Sequence, residues 1–172
     1  MSREHVDWVP VSSPEQVREV AGLAKDIWNE HYAGLLTPGQ ITYMVEHFQS
    51  EEAITLQLAD GYQYRLITVG GEPAGYVAFR TDGDKLFLSK LYIHKRFRLR
   101  GLAHRSVDLL MRLCREQGLT ALYLTVNREN IGSIAAYIAM GFRTAISLRM
   151  ALTILKLVMG RDGGIIIPQK IW

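Results

Sequence analysis

A single cysteine, Cys114, occurs in 172 residues. No internal disulfide can form, so packing has to hold the fold, and this cysteine usage fits a reducing compartment. No apolar run approaches the about 20 residues needed to span a bilayer. Met1 is followed by charged residues rather than an apolar leader. The expectation is a cytoplasmic protein with no membrane partner. A Walker lysine and a full GxGxxG are also missing. So are the aromatics that interleave with basic residues on a single-strand nucleic-acid platform, which argues against nucleic acid as the partner. Neither sign of charge dominates: the formal net charge is only +3. With 48% hydrophobic and 22% charged residues and no internal repeat, residues 1–172 read as one globular domain.

What charge excess there is gathers between Lys90 and Arg105. The preceding Leu86–His94 is apolar and β-prone. Beyond the basic turn, Ala103, Val107, Leu110 and Cys114 recur at helical spacing, so Cys114 reads as buried filler. Gly118 stops the helix, and Leu122–Val126 follows as a strand. Strand, turn, helix, strand is a βαβ unit with parallel strands. The turn suits an anion: the first amides of a helix lack internal partners and carry the positive end of its dipole. Gly101 and Ala103 keep side chains short there, and Lys95, Arg96, Arg98, Arg100, His104 and Arg105 surround them, enough charge for a pyrophosphate. An ordinary solvated basic turn is the competing reading. A local cluster of this kind argues for a discrete anionic ligand rather than a long groove.

Earlier in the chain, Val6–Val11 reads as a strand, and Ser13-Pro14-Glu15-Gln16 opens a helix reaching about Tyr32, with Val17, Val20, Ala24, Ile27 and Trp28 inward. Thr37-Pro38-Gly39-Gln40 repeats the capping signal before an apolar stripe of Ile41, Met44, Val45 and Phe48. A third helical segment starts at Ser50 and ends before Gly61. Tyr62–Val69, Ala74–Thr81 and Lys85–His94 form a meander, joined at Gly70-Gly71 and Asp82-Gly83.

After Val126 the chain reads Asn127-Arg128-Glu129-Asn130-Ile131-Gly132-Ser133-Ile134-Ala135-Ala136-Tyr137-Ile138-Ala139-Met140-Gly141-Phe142. Asn130, Ser133 or Ile134, and Tyr137 fall on one helical face. Together with Arg98, Gly101 and Ala103 of the basic turn, the set Asn130, Ala135, Ala136, Tyr137, Gly141 and Phe142 resembles the GNAT superfamily of acetyl-CoA-dependent N-acetyltransferases, over residues 5 to 142. The resemblance implies an α/β (α+β) fold: a mixed, mostly antiparallel sheet with one parallel βαβ unit and helices on both faces. It implies acetyl-CoA as cosubstrate, with no metal, and its pyrophosphate on Arg98, Leu99, Arg100, Gly101, Leu102, Ala103 and His104. Leu99 departs from the family, where many members carry glycine; its amide can serve if φ stays negative.

If the parallel strands splay, the backbones of Leu91, Tyr92 and Ile93 can pair with pantetheine as an added strand would. Asn130 and Ser133 can border the same arm, although capping competes for Asn130. By resemblance Tyr137 is the general acid, and a phenol is well matched to a departing thiolate; a core tyrosine is the alternative. The general base is open. Where some relatives carry glutamate there are Ser89 and Lys90, and water, Glu30 or His31 could take the proton.

The function these residues point to is direct transfer of acetyl from acetyl-CoA to a primary amine of a small molecule, such as a polyamine-like cation, or of a peptide. A non-catalytic acyl-CoA-binding regulatory domain is the alternative. Residues 143–172 match nothing in the family and read as atypical C-terminal strands. The long apolar run Ala145–Met159 would aggregate unless covered, which points to a homodimer contact or an exchanged strand, a terminal hairpin being the other reading. Ile165–Ile167 reads as a further short strand.

Overall fold

A computed structural model describes residues 4–145 and 154–161. Seven strands among the described residues form one sheet, mostly antiparallel with one parallel pair, as the resemblance implied. The chain gathers into two compact units. One holds the residues up to Phe79 with Lys90–Ala103, the other Arg80–Ser89 with the chain from His104 on.

In the first unit, β1 (Val6–Pro10) pairs antiparallel with β2 (Gln63–Val69), which turns at Gly70-Gly71 into β3 (Glu72–Asp82). Both turn glycines have positive φ, +59° and +83°, as a two-residue hairpin turn requires. Helix α1 (Pro14–His31) starts on a capping box: the Ser13 hydroxyl accepts the Gln16 amide, and the Gln16 side chain accepts that of Ser13. The inward face is the expected one, with Val17, Val20, Ala24, Ile27 and Trp28 all buried. Val17, Val20, Ala24 and Ile27 pack with Ile54, Tyr64, Leu66, Tyr76 and Ala78 into one core.

Helix α2 (Pro38–Met44) has the same capping box, from Thr37 and Gln40. Its apolar stripe then departs from expectation. Only Ile41 is buried; Met44 and Val45 are half-buried and Phe48 is exposed, while Gln49 is turned inward. The cause is a π-helical turn over Val45–Gln49, whose wider ring adds a residue and shifts the helical phase. Helix α3 (Glu51–Ala59) then begins on a Ser50 cap.

In the second unit, the start of β4 (Lys85–Ile93) runs parallel to β5 (Ala121–Asn127), with Lys85–Phe87 registered on Ala121–Tyr123. Helix α4 (Leu102–Glu116) lies between them in the chain and buries Val107, Leu110, Met111 and Cys114. The Cys114 thiol is free, and burial pushes it up to about 11, which suits filler rather than a nucleophile. Helix α5 (Ile131–Ala139) leads to β6 (Arg143–Ala145). The last described strand, β7 (Ile154–Gly160), pairs with both β5 and β6. The apolar run expected to need a partner molecule is therefore edge-paired within its own chain from Ile154 onward. The expected strand residues 146–153 and 165–167 lie outside the described residues. No helix among the described residues is long and apolar enough to cross a membrane.

Candidate active site

The basic turn is built first. A 3-10 turn over Lys95–Phe97 follows β4, and helix α4 opens at Leu102. Phe97 and Leu102 anchor this turn in a small core with Val69 and Ala74. Between these anchors Leu99 has φ +62° and Gly101 φ +75°. Leu99 is the single non-glycine residue in the left-handed region among those described, and its side chain is fully exposed. The negative φ on which a role for its amide was conditional is not found: it takes the conformation that glycine takes readily, at a cost of about 1–2 kcal/mol. Left-handed residues set among ordinary ones turn successive amides into a common concavity that suits an anion. A Cβ built on Gly101 meets nothing within 4 Å, so the space in front of it is open.

The arginines around this loop are less available than their sequence positions suggested. The Arg98 fork grips both Glu30 oxygens, at 3.3 and 2.8 Å, and its Nε donates to the Ile93 carbonyl at 3.1 Å. Arg96 pairs with Glu72 at 2.9 Å and Arg100 with Glu4 at 3.0 Å, the last two guanidinium groups also lying over the Phe97 ring. Three of the expected phosphate ligands thus already have carboxylate partners from distant parts of the sequence. His104 stands 3.8 Å from Asp108, one turn along α4. The hydrogen bond from Arg98 holds the Glu30 carboxyl below its ordinary range, which makes it a weaker base. Partial burial and the Arg98 charge lower His31, keeping an imidazole that can accept a proton.

Along the strand residues expected to meet pantetheine, the Ile93 carbonyl is the one Arg98 occupies. The Tyr92 carbonyl faces β3, 2.4 Å from where a Cβ on Gly75 would sit, so only glycine fits there. The Tyr92 side chain belongs to the main core of this unit.

In the second unit, Asn130 caps α5, its side chain accepting the Ser133 amide at 3.3 Å. Asn127 accepts from the Glu129 amide at 2.9 Å, so both asparagines shape the entry to the helix. Tyr137 is half-buried on α5, its ring set edge-on to Phe142 with centroids 5.4 Å apart. Among the described residues no group of three His, Cys, Asp or Glu is placed to hold a metal ion.

Sequence reasoning missed one constellation. Lys90 is buried, and its three ammonium donors meet the Phe48 carbonyl, Gln57 Oε1 at 3.1 Å and Tyr64 Oη at 2.7 Å. Tyr64 in turn donates to Gln57 Oε1 at 2.5 Å. Burial pulls Lys90 down to about 7, while the three oxygen acceptors favour its charged form and work the other way. The unfolded chain holds this proton up to about 10.5, so folding stability should rise with pH between 7 and 10.5. Urea titrations of wild type and Lys90→Met are expected to differ increasingly from pH 7 to 9.5, wild type gaining on the order of 1–3 kcal/mol. A difference flat with pH would mean the acceptors offset burial completely.

A mostly antiparallel sheet with one parallel pair, its two strands joined through a basic turn and a helix, is the architecture of an acetyltransferase-like fold. Residues 23–142 match the acetyltransferase (GNAT) family, and the chain belongs to that family. No curated protein matches it by sequence. Among solved structures it is similar to PaiA N-acetyltransferase from Thermoplasma acidophilum in complex with coenzyme A, at 14% identity and TM-score 0.77 over 91% of this chain and 98% of that one. An acetyltransferase from Thermus thermophilus is 22% identical, with TM-score 0.65 over 90% and 96% of the two chains. A ribosomal-protein alanine N-acetyltransferase from Escherichia coli is 19% identical, with TM-score 0.56 over 64% and 76%.

Proposed function

We propose that the chain transfers the acetyl group of acetyl-CoA directly to a primary amine of a small molecule or peptide. The observation that carries this reading is the loop at Leu99 and Gly101, strained and open at the start of a 15-residue helix, in a chain of the acetyltransferase family. In this reading the amides from Arg100 to His104 take the pyrophosphate, and the strand edge at Leu91, Tyr92 and Ile93 takes the pantetheine arm, for which Asn130 and Ser133 are further candidates. The amine nitrogen attacks the thioester carbon, the C–S bond breaks, and the Tyr137 phenol gives its proton to the departing sulfur. The amine proton leaves to water or His31. No acyl-enzyme is invoked, because the one cysteine is buried.

The acceptor is a cationic amine. Residues 26–60 carry Asp26, Glu30, Glu46, Glu51, Glu52 and Asp60 with no lysine or arginine; with Glu30 held by Arg98 and Glu51 by Arg18, the excess that remains favours a positive substrate on that side. An amine panel with acetyl-CoA tests the reading by thiol release and product mass. Bound CoA with neither transfer nor hydrolysis would instead favour an acyl-CoA-binding regulatory domain.

Arg98 reaches the pyrophosphate in this scheme only by exchanging Glu30 for it. Glu30→Gln, which removes the competing charge, is therefore expected to tighten CoA binding about two- to tenfold by calorimetry. Weaker binding would mean that Glu30 braces Arg98 and the loop instead of competing with the phosphate.

A further inference from the structure

A π turn is an uncommon and costly form of helix, and Val45–Gln49 carries one next to the buried Lys90. Two of its backbone oxygens accept hydrogen bonds from side chains. The Phe48 carbonyl accepts from Lys90 Nζ and from Gln57 Nε2, the latter at 3.3 Å, and the Glu46 carbonyl accepts from the Ser50 hydroxyl at 2.7 Å. The turned-in Gln49 accepts from the Tyr76 hydroxyl at 2.8 Å. On the outer side, the ring of Tyr43 stacks on His47 with centroids 4.0 Å apart, and Phe48 lies 6.5 Å beyond. Tyr43 and Phe48 are both exposed.

We propose that Lys90 is a positioning residue for the amine: it holds the π turn open and so keeps Tyr43, His47 and Phe48 presented outward as one wall of the acceptor site. The proposal rests on the reading that the segment from α1 to α3 receives the acceptor. Its physical basis is a phase argument. An uninterrupted α-helix from Pro38 would carry Phe48 inward with Ile41 and set Gln49 at the margin of that face. The inserted residue turns Phe48 outward and Gln49 inward, and the ammonium on strand β4 donates to the displaced Phe48 carbonyl. An exposed row of aromatic faces is a surface on which an alkylammonium can rest. Lys90 itself touches no substrate in this scheme, since its three donors are committed to protein oxygens.

The test is steady-state kinetics of the full chain and its Lys90→Met variant, with acetyl-CoA and the best amine from the panel, alongside hydrogen exchange of residues 45–50. The expected result is a KM for the amine raised about tenfold or more, with KM for acetyl-CoA and kcat within about threefold, and faster exchange in the π turn. An unchanged amine KM in a folded variant overturns the proposal, and so does a parallel loss in both KM values and kcat, the pattern of general destabilisation. Should Lys90→Met not fold, Tyr64→Phe removes one acceptor while keeping the ring, and a selective rise of about threefold in amine KM is expected; no rise overturns the proposal. Wild type that acetylates no amine would instead overturn the transferase reading on which the acceptor role depends.

Discussion

Replacing Tyr137 by phenylalanine is expected to lower kcat by about 10²- to 10⁴-fold while leaving CoA affinity unchanged. The ring is held edge-on to Phe142 on a helix whose first turn is capped by Asn130, and phenylalanine preserves that packing. Only the hydroxyl is lost, and in the proposed chemistry the hydroxyl acts only as the C–S bond breaks, so the effect belongs to the transition state. Thiols and phenols lose protons in a similar range, which makes the transfer nearly balanced. The rate profile of the variant should lose the high-pH decline that deprotonation of the acid causes in wild type, as read under conditions where chemistry limits turnover. A phenylalanine variant with wild-type kcat would place Tyr137 among packing residues and leave water as the acid.

The second large effect is expected at Gly101. Valine there must adopt φ +75°, which β-branched residues avoid, and its methyl groups would fill the open space in front of the loop amides. CoA affinity should fall at least about tenfold by calorimetry, with a stability loss of about 1–2 kcal/mol. Gly118→Val separates the two causes. Gly118 closes the other end of α4 with φ +69° and open space around it, so it carries the same backbone penalty. That variant should lose similar stability and bind CoA as wild type does. Equal CoA affinity in both variants would remove the anion role from the Gly101 loop.

The role expected of Tyr137 came from the family resemblance, its spacing from Asn130 fixing only the helical face. Gly101 was legible because a local rule governs it: it stands where a helix begins. Caps and hairpin glycines were legible for the same reason: Ser13 with Gln16, Thr37 with Gln40, and Gly70 with Gly71 interact over a few residues. What could not be read depends on partners far apart in the chain. Arg96, Arg98 and Arg100 look like free charge until Glu72, Glu30 and Glu4 arrive beside them. The stripe through Phe48 obeys helical periodicity until Lys90, 42 positions later, supplies a donor for its carbonyl. A periodic pattern has no means of announcing an inserted residue whose stabilising partner is on another element. The aromatic succession Tyr32, Trp28, Tyr92, Tyr76 and Tyr64 was likewise scattered over one helix and three strands.

The place of β7 has a consequence for the order in which the chain can assemble. Strand β5 finds its second neighbour only in Ile154–Gly160, with Asn127 registered on Ile154 and Ala121 on Gly160. A nascent chain that has emerged only as far as Phe142 has everything it needs for the βαβ unit, yet holds an unsatisfied strand edge along β5. Such an edge is a template for other nascent copies. Closing it requires β7 to slip between β5 and β6 rather than add at the rim, a long-range pairing of the kind that slows folding. Ribosome stalling or proteolysis just after Phe142 would release a species that has the proposed CoA loop and Tyr137 but an open sheet, and its fate should be chaperone capture or aggregation.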